Sequence, residues 1–231
     1  GEYRAALPPR TENRTGMKRL LLLAAALLVA GAAFAQGEYH FQRRSLFDVL
    51  PLHSSDIVFV GNSITDGCEW AELFQNRHVK NRGISGDRSD WLLGRLDSIL
   101  TAHPKKLFLM IGTNDLAAGR TPDEIVRDVE RLIDRFQRES KWTKIYVQSI
   151  LPVNGEGFTK YRSHYEHAHL IVPTNKRLEA LCHQKGVTYL DVWGALADDE
   201  GRLDRRYTND GLHLMGAGYL VWRDAIKIHV K

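Results

Sequence analysis

Ser63 in Gly61-Asn62-Ser63-Ile64-Thr65, Asn114 in Gly112-Thr113-Asn114-Asp115, and the pair in Asp210-Gly211-Leu212-His213 are the side chains of this 231-residue chain best suited to covalent catalysis. A Ser hydroxyl is a poor nucleophile until a neighbouring base takes its proton. His suits that task because its unperturbed pKa lies near neutrality. A carboxylate on the other ring nitrogen fixes the tautomer and stabilises the imidazolium. Asp210 and His213 sit three residues apart, so one short loop supplies both. Attack on a carbonyl creates an oxyanion, which needs preorganised donors. Three donors are available: the backbone N–H of Ser63, the backbone N–H of Gly86 and the side-chain amide of Asn114. Each piece also has an ordinary reading: a solvated Asp and His in a polar loop, a strand-to-helix turn at Gly86, and a turn cap at Asn114. Their positions along the chain decide between the two.

The elements that must position these residues alternate strand-like and helix-like patterns. Asp56-Ile57-Val58-Phe59-Val60 is a short apolar run ending at Gly61, as a buried parallel strand should be. A helix is expected from Glu69 to Asn76, a weaker strand from Val79 to Ile84, a helix from Asp87 to Ala102, and a strand from Lys106 to Ile111. Thr121-Pro122-Asp123-Glu124 is a helix start with a capping box and Pro in the first turn. Ile125, Val126, Val129, Leu132, Ile133 and Phe136 form its apolar face. Further on come a strand over Lys144 to Leu151, a helix from Ile171 to Lys185 with Pro173 in its first turn, a strand from Val187 to Val192 and a helix from Met215 to His229. Such alternation implies an α/β fold, a three-layer α/β/α sandwich around a mostly parallel five-stranded sheet. Ligands of these sheets bind outside the C-terminal ends of the strands. Ser63, Gly86 and Asn114 each follow a strand, so the pattern alone puts them on one edge. There is no internal repeat. The irregular stretches Val153 to His169 and Trp193 to Asn209 are long enough to shape a binding site.

The front of the chain reads differently. Met17-Lys18-Arg19, an apolar run from Leu20 to Ala30 and Ala33-Phe34-Ala35 together resemble a cleavable signal peptide over residues 17–35. Residues 1–16 have no periodicity and read as upstream or non-native disordered sequence. A single domain is then expected over 36–231, exported to the periplasm or beyond the cell. No Cys follows the cleavage point to carry a lipid anchor, so no stable membrane anchor is expected. The formal charge is +4, but residues 1–35 hold five of the 32 Lys and Arg and two of the 28 Asp and Glu. The remainder is close to neutral, which gives no footing for a nucleic-acid partner. Cys68 and Cys182 could pair in an exported protein, but two buried thiols are the simpler expectation.

Taken together these residues resemble the SGNH (GDSL-type) hydrolase superfamily. Ser63 matches its nucleophile, Gly86 and Asn114 its second and third blocks, and Asp210 with His213 its last. The run Gln148-Ser149-Ile150-Leu151-Pro152-Val153-Asn154 resembles a bacterial subgroup close to platelet-activating-factor acetylhydrolase subunits and secreted carbohydrate O-acetylesterases. Asn62 stands where the family has Asp, and Met215 where Asn is frequent. The resemblance implies a flavodoxin-like sheet, a Ser63-His213-Asp210 triad, an oxyanion hole of Ser63, Gly86 and Asn114, and no cofactor. It also implies a small-molecule or glycan ester as substrate, with acetyl groups on carbohydrates foremost. A lysophospholipase or thioesterase with the same set is the alternative, and a non-catalytic glycan-binding module a more distant one. The Gly-x-Ser-x-Gly elbow of ordinary α/β-hydrolases is absent.

Other residues invite a role. Asp66 and Asp87 could organise turns beside the site or line it. Tyr161, Tyr207 and Trp91 could offer a sugar-binding surface, although the position of Trp91 in an apolar stripe favours the core. His164, His167 and His169 with Glu166 could be metal ligands, but no zinc spacing is present, and a solvated or substrate-lining loop is the expectation. The basic run Arg202 to Arg206 reads as a solvated face. The sequence leaves the oligomeric state open.

Overall fold

Ile57–Gly61 (β1), Val79–Gly83 (β2), Lys106–Met110 (β3), Lys144–Gln148 (β4) and Thr188–Leu190 (β5) pair side by side in the computed structural model, which describes residues 37–231. The order is β2-β1-β3-β4-β5 and every pair is parallel. The expected segment 1–16 and signal peptide 17–35 lie outside the described residues. The chain divides at Phe41 into two units. The first contributes only 37–41 to the described part, and the second is Gln42–Lys231. Residues 37–49 are helical (α1). No helix among the described residues is long and apolar enough to cross a membrane.

Successive strand residues point to opposite faces, and both faces are apolar because both are covered. Val58, Val60, Leu107, Leu109, Ile145 and Val147 face one core. It is closed by Ser89–Leu93 (α4), Asp97–Ala102 (α5), Pro122–Glu139 (α7) and Ile171–Lys185 (α9). Ile57, Phe59, Phe108, Met110 and Tyr146 face the other, closed by Trp70–Leu73 (α3) and Gly216–Val230 (α11). There the register aligns Phe59, Phe108 and Tyr146, and their rings stack across three strands at 4.7 and 4.6 Å. Trp70 lies on Phe59 at 4.2 Å and meets Trp222 edge-on at 4.8 Å. Helices on both faces make the three layers expected from the sequence. Cys182 belongs to the first core and Cys68 to the second, and both are buried free thiols. Burial pushes each thiol up to about 12, which leaves them inert.

The capping box at the start of α7 forms as expected: the Thr121 hydroxyl accepts from the Glu124 N–H, and Glu124 accepts from the Thr121 N–H at 2.8 Å. Elsewhere the boundaries moved. The helix expected over 87–102 is two short helices, because the chain breaks at Gly94 while Leu92, Leu96 and Ile99 all stay on the sheet. This break overturns the expectation for Trp91. Its neighbour Leu92 takes the sheet-facing position, so Trp91 is turned outward, 37% exposed, with the Arg88 guanidinium 4.3 Å above its ring. The helix expected from Glu69 shrinks to α3. The two long irregular stretches each carry short helices: Arg162–Glu166 (α8) and a 3₁₀ turn Ala168–Leu170 in one, Trp193–Leu196 (α10) and a 3₁₀ turn Arg205–Tyr207 in the other.

Candidate active site

β1 and β3 are neighbours in the sheet while β2 lies outside β1, so the chain order reverses beside β1. That reversal opens a crevice at the strands' C-terminal ends. Ser63 opens Ser63–Asp66 (α2) directly after β1, and Asn114 lies in Thr113–Ala117 (α6) directly after β3. The two residues therefore flank the crevice.

The position of Ser63 is fixed from beneath. Asn62 caps α2 by accepting from the Ile64 N–H at 3.0 Å, a task Asp would perform equally. Asn81 on β2 donates its amide to the carbonyls of Thr65, Asp66 and Cys68 at 2.9–3.0 Å. The Trp70 indole donates to Thr65 O and the Tyr219 hydroxyl to Ile64 O, each at 2.8 Å. β2 must pass close beneath this turn. A Cβ on Gly83 would lie 2.3 Å from the Asp66 nitrogen, so only glycine fits.

Gly86 sits in a turn closed by the Asp87 N–H donating to Ile84 O at 3.1 Å. Its φ of 83° is left-handed and favours glycine. Three carboxylates hold this turn. Asp66 accepts from the Ser85 N–H at 3.2 Å and from Arg43 at 2.8 Å. Asp87 is fully buried and paired at 2.7 Å with the buried Arg95 Nε, whose Nη2 also reaches Gly61 O at 3.3 Å. Asp115, also fully buried, accepts from the Ser89 N–H at 3.0 Å, the Ser89 hydroxyl at 2.6 Å and Arg120 at 2.7 Å. Asp66 and Asp87 thus organise turns, and the burial of Asp87 keeps it from lining the site. Among the described residues, neither the Ser63 nor the Gly86 N–H is spent on another backbone carbonyl.

The loop bearing Asp210 and His213 comes to the same edge. Leu212 is buried in one core and Leu214 in the other, so His213 between them is held at the end of the sheet. Asp210 Oδ1 accepts from the N–H groups of Leu212 and His213 at 2.9 and 2.8 Å, and Thr208 Oγ1 accepts from the Gly211 N–H at 2.9 Å. Asp210 Oδ2 lies 2.8 Å from His213 Nδ1, and His213 Nε2 lies 3.0 Å from Ser63 Oγ. Burial alone would raise the Asp210 carboxyl, but the two backbone donors and the His213 side chain hold it below its ordinary value. The three residues form one hydrogen-bonded line, with the carboxylate, the imidazole and the hydroxyl in order. This is the arrangement of an activated Ser nucleophile.

Asn114 completes the edge. Its amide nitrogen donates to Asp87 O at 2.9 Å, and its Oδ1 lies 3.0 Å from His164 Nε2. The segment carrying His164 leans over the site. The Tyr165 hydroxyl donates to Asp210 O at 2.5 Å, Ser163 to Ala117 O, and Asn154 N–H to Gly211 O at 2.8 Å. The Tyr161 ring meets His213 edge-on at 5.0 Å and His164 at 5.7 Å. Tyr207, by contrast, packs at the foot of α11, where its carbonyl accepts from the Met215 N–H at 2.7 Å. Met215 offers α11 no side-chain cap.

The three histidines of this segment have separate partners. His167 and His169 each turn Nδ1 to a carbonyl of their own segment, Ser163 O at 2.7 Å and Glu166 O at 3.1 Å, while His164 turns to Asn114. Among the described residues, no group of three or more His, Cys, Asp or Glu side chains is arranged to hold a metal ion. Sequence reasoning missed Arg95, Asn81 and the partner of His164. Their bonds join residues 34, 16 and 50 positions apart, and no local motif announces them.

Comparison with known proteins is consistent with this geometry. A family profile described as GDSL-like Lipase/Acylhydrolase family matches residues 59–221. The rat platelet-activating factor acetylhydrolase IB subunit alpha2 is 28% identical over 170 residues, spanning 71% of each chain. The bovine alpha1 subunit is 25% identical over 175 residues, spanning 71% of this chain and 70% of its own. A solved structure from Streptococcus pneumonia, described provisionally as a platelet activating factor, superposes with a TM-score of 0.80. It is 30% identical and covers 91% of this chain and 99% of its own. An acetyl-xylooligosaccharide esterase from Geobacillus shares the fold at 16% identity, with a TM-score of 0.62 and coverage of 78% and 95%.

Proposed function

Because the chain belongs to the GDSL-like lipase/acylhydrolase family, whose members hydrolyse ester bonds, we propose that it is an exported serine esterase removing short acyl groups, chiefly acetyl, from carbohydrates. The observation that carries the mechanism is the line of contacts from Asp210 through His213 to Ser63, at 2.8 and 3.0 Å. Ser63 Oγ attacks the ester carbonyl carbon while its proton passes to His213 Nε2. The carbonyl electron pair moves onto oxygen, where the N–H groups of Ser63 and Gly86 and the Asn114 amide hold it. As the tetrahedral species collapses, His213 gives its proton to the departing alcohol and the acyl group stays on Ser63. Water then attacks the acyl-enzyme, His213 takes its proton, and the acid leaves as Ser63 Oγ recovers that proton. Asp210, kept ionised, holds His213 in the tautomer with Nδ1–H and faces the imidazolium in both steps.

The acetyl preference is supported by the relatives named for an acetylhydrolase activity. The carbohydrate alcohol is supported by the polar and aromatic surroundings of His213, where Tyr161 presents its ring and Lys160 lies 5.1 Å from it. The same relatives favour a second reading, an acetyl ester on a phospholipid alcohol. Acetate release from acetylated xylan fragments and sialic acids, set against release from an acetylglycerophospholipid in vesicles, separates the two. Preference for the lipid ester removes the carbohydrate reading. Ser63→Ala is expected to lower turnover of an aryl acetate by about 10⁴-fold or more with the fold intact. Wild-type protein should take one fluorophosphonate label, located at Ser63 by mass spectrometry. Activity retained in Ser63→Ala ends the mechanism.

A further inference from the structure

The orientation of Asn114 is decided by its two neighbours. One amide group faces Asp87 O at 2.9 Å. A backbone carbonyl only accepts, so the atom facing it must be Nδ2. Oδ1 then faces His164 at 3.0 Å, and Nε2 of His164 must carry the proton. An amide oxygen cannot donate, so the opposite tautomer would set two acceptors against each other. The ring is half-buried on α8 and wedged by Tyr161, whose ring also meets His213. Burial, the facing His213 and the nearby His167 push His164 down to about 4, so it is neutral at neutral pH.

We propose that His164 is a positioning residue for the oxyanion hole: its Nε2–H holds Asn114 Oδ1, so that the amide nitrogen is turned into the crevice beside Ser63. This rests on the esterase reading above. Two effects follow from the geometry. The amide cannot flip, so the second hydrogen on Nδ2 stays aimed at the developing charge. The bond accepted at Oδ1 also polarises the amide and strengthens its donor. Without His164, Asn114 keeps only the Asp87 anchor, and part of its donor function is lost in the transition state while ground-state binding is little changed.

The experiment combines kinetics with a direct look at the proton. His164→Phe keeps a ring of similar size without the donor, and His164→Gln returns an N–H near the Nε2 position. With an aryl acetate, His164→Phe should lower kcat by about 10–100-fold, less than the 10²–10³ typical of losing a whole oxyanion donor, with KM within about threefold. His164→Gln should recover most of that loss. In an Asn114→Ala background, His164→Phe should cost almost nothing further, because the residue it positions is gone. ¹⁵N-resolved NMR of wild-type histidines at neutral pH should show His164 neutral with the proton on Nε2. Unchanged kcat in His164→Phe, a loss confined to KM, no recovery in His164→Gln, full additivity with Asn114→Ala, or a proton on Nδ1 would each overturn the inference. An inert wild type would instead fail the esterase reading, and the tautomer would still decide the His164–Asn114 bond.

Discussion

The two sides of the crevice are held in different ways. On the Ser63 side, the turns after β1 and β2 rest on polar anchors: half-buried Asn81 beneath α2, buried Arg95 between Asp87 and Gly61, and buried Asp115 under Ser89. On the other side, the segment with Tyr161, His164 and Tyr165 lies mostly on the surface and reaches the site through single bonds from Tyr165, Ser163 and His164. A buried ion pair with its hydrogen bonds satisfied tolerates little displacement, because every departure leaves an uncompensated charge. A surface segment can change its side chains at low cost in stability. The difference teaches where each property resides. Ser63 and Gly86 stand on the anchored side, while His164, proposed to position Asn114, and Tyr161, which faces His213, stand on the other.

Breaking the anchored side should have the largest effect on stability. Arg95→Met takes the guanidinium away from fully buried Asp87 and removes one donor from Gly61 O, which keeps the Ile84 N–H at 3.0 Å. Loss of about 3–5 kcal/mol is expected, read as a lower midpoint in urea unfolding, with activity falling alongside. A change below 1 kcal/mol would mean the anchor is dispensable and the contrast between the sides is false.

The loop that joins the two sides gives a smaller effect, visible with pH. The Asp210 carboxyl lies below its ordinary value of 3.8 in the folded protein, so the folded state binds its proton less readily than the unfolded chain does. Its contribution is complete above the unfolded value and is lost as pH falls through the folded one. The stability of wild type relative to Asp210→Asn should therefore be constant near neutrality and shrink below about pH 4. Urea unfolding of both proteins across pH 3–7 measures it, and a difference that grows toward acid would reverse the assignment.

The smallest expected effect lies on the surface side. Tyr161→Ala removes a ring that touches His213 and His164 without donating to either. Midpoints of unfolding should move little, while KM for acetylated sugars should rise several-fold, on the order of the 0.5–1.5 kcal/mol of an aromatic contact. KM for a small aryl acetate should change less. Equal changes in both would remove Tyr161 from substrate choice.

Much of the fold and of the candidate site was legible in the chain because the signals are local. Apolar runs of five residues, the capping box at Thr121 and Glu124, and an Asp three residues before a His are each read within one short window. The helix over 87–102 was misread because Leu92, Leu96 and Ile99 keep their spacing across the break at Gly94, so the stripe hides the interruption. Trp91 was misplaced for the same reason. The separate partners of His164, His167 and His169 were not legible, because closeness in sequence does not say which way each ring turns.

By itself the sequence determined the α/β class, the edge on which Ser63, Gly86 and Asn114 stand, and the chemistry those residue types can perform. Periodicity and strand ends are properties of neighbouring residues, and neighbouring residues are what a sequence displays. Only the tertiary structure decided that Arg95 ties the second strand's turn to the first strand, that Leu212 and Leu214 anchor in opposite cores to aim His213, and that His164 faces Asn114. Those are distances between atoms far apart along the chain, set by how the layers pack, and packing is a property of the whole fold.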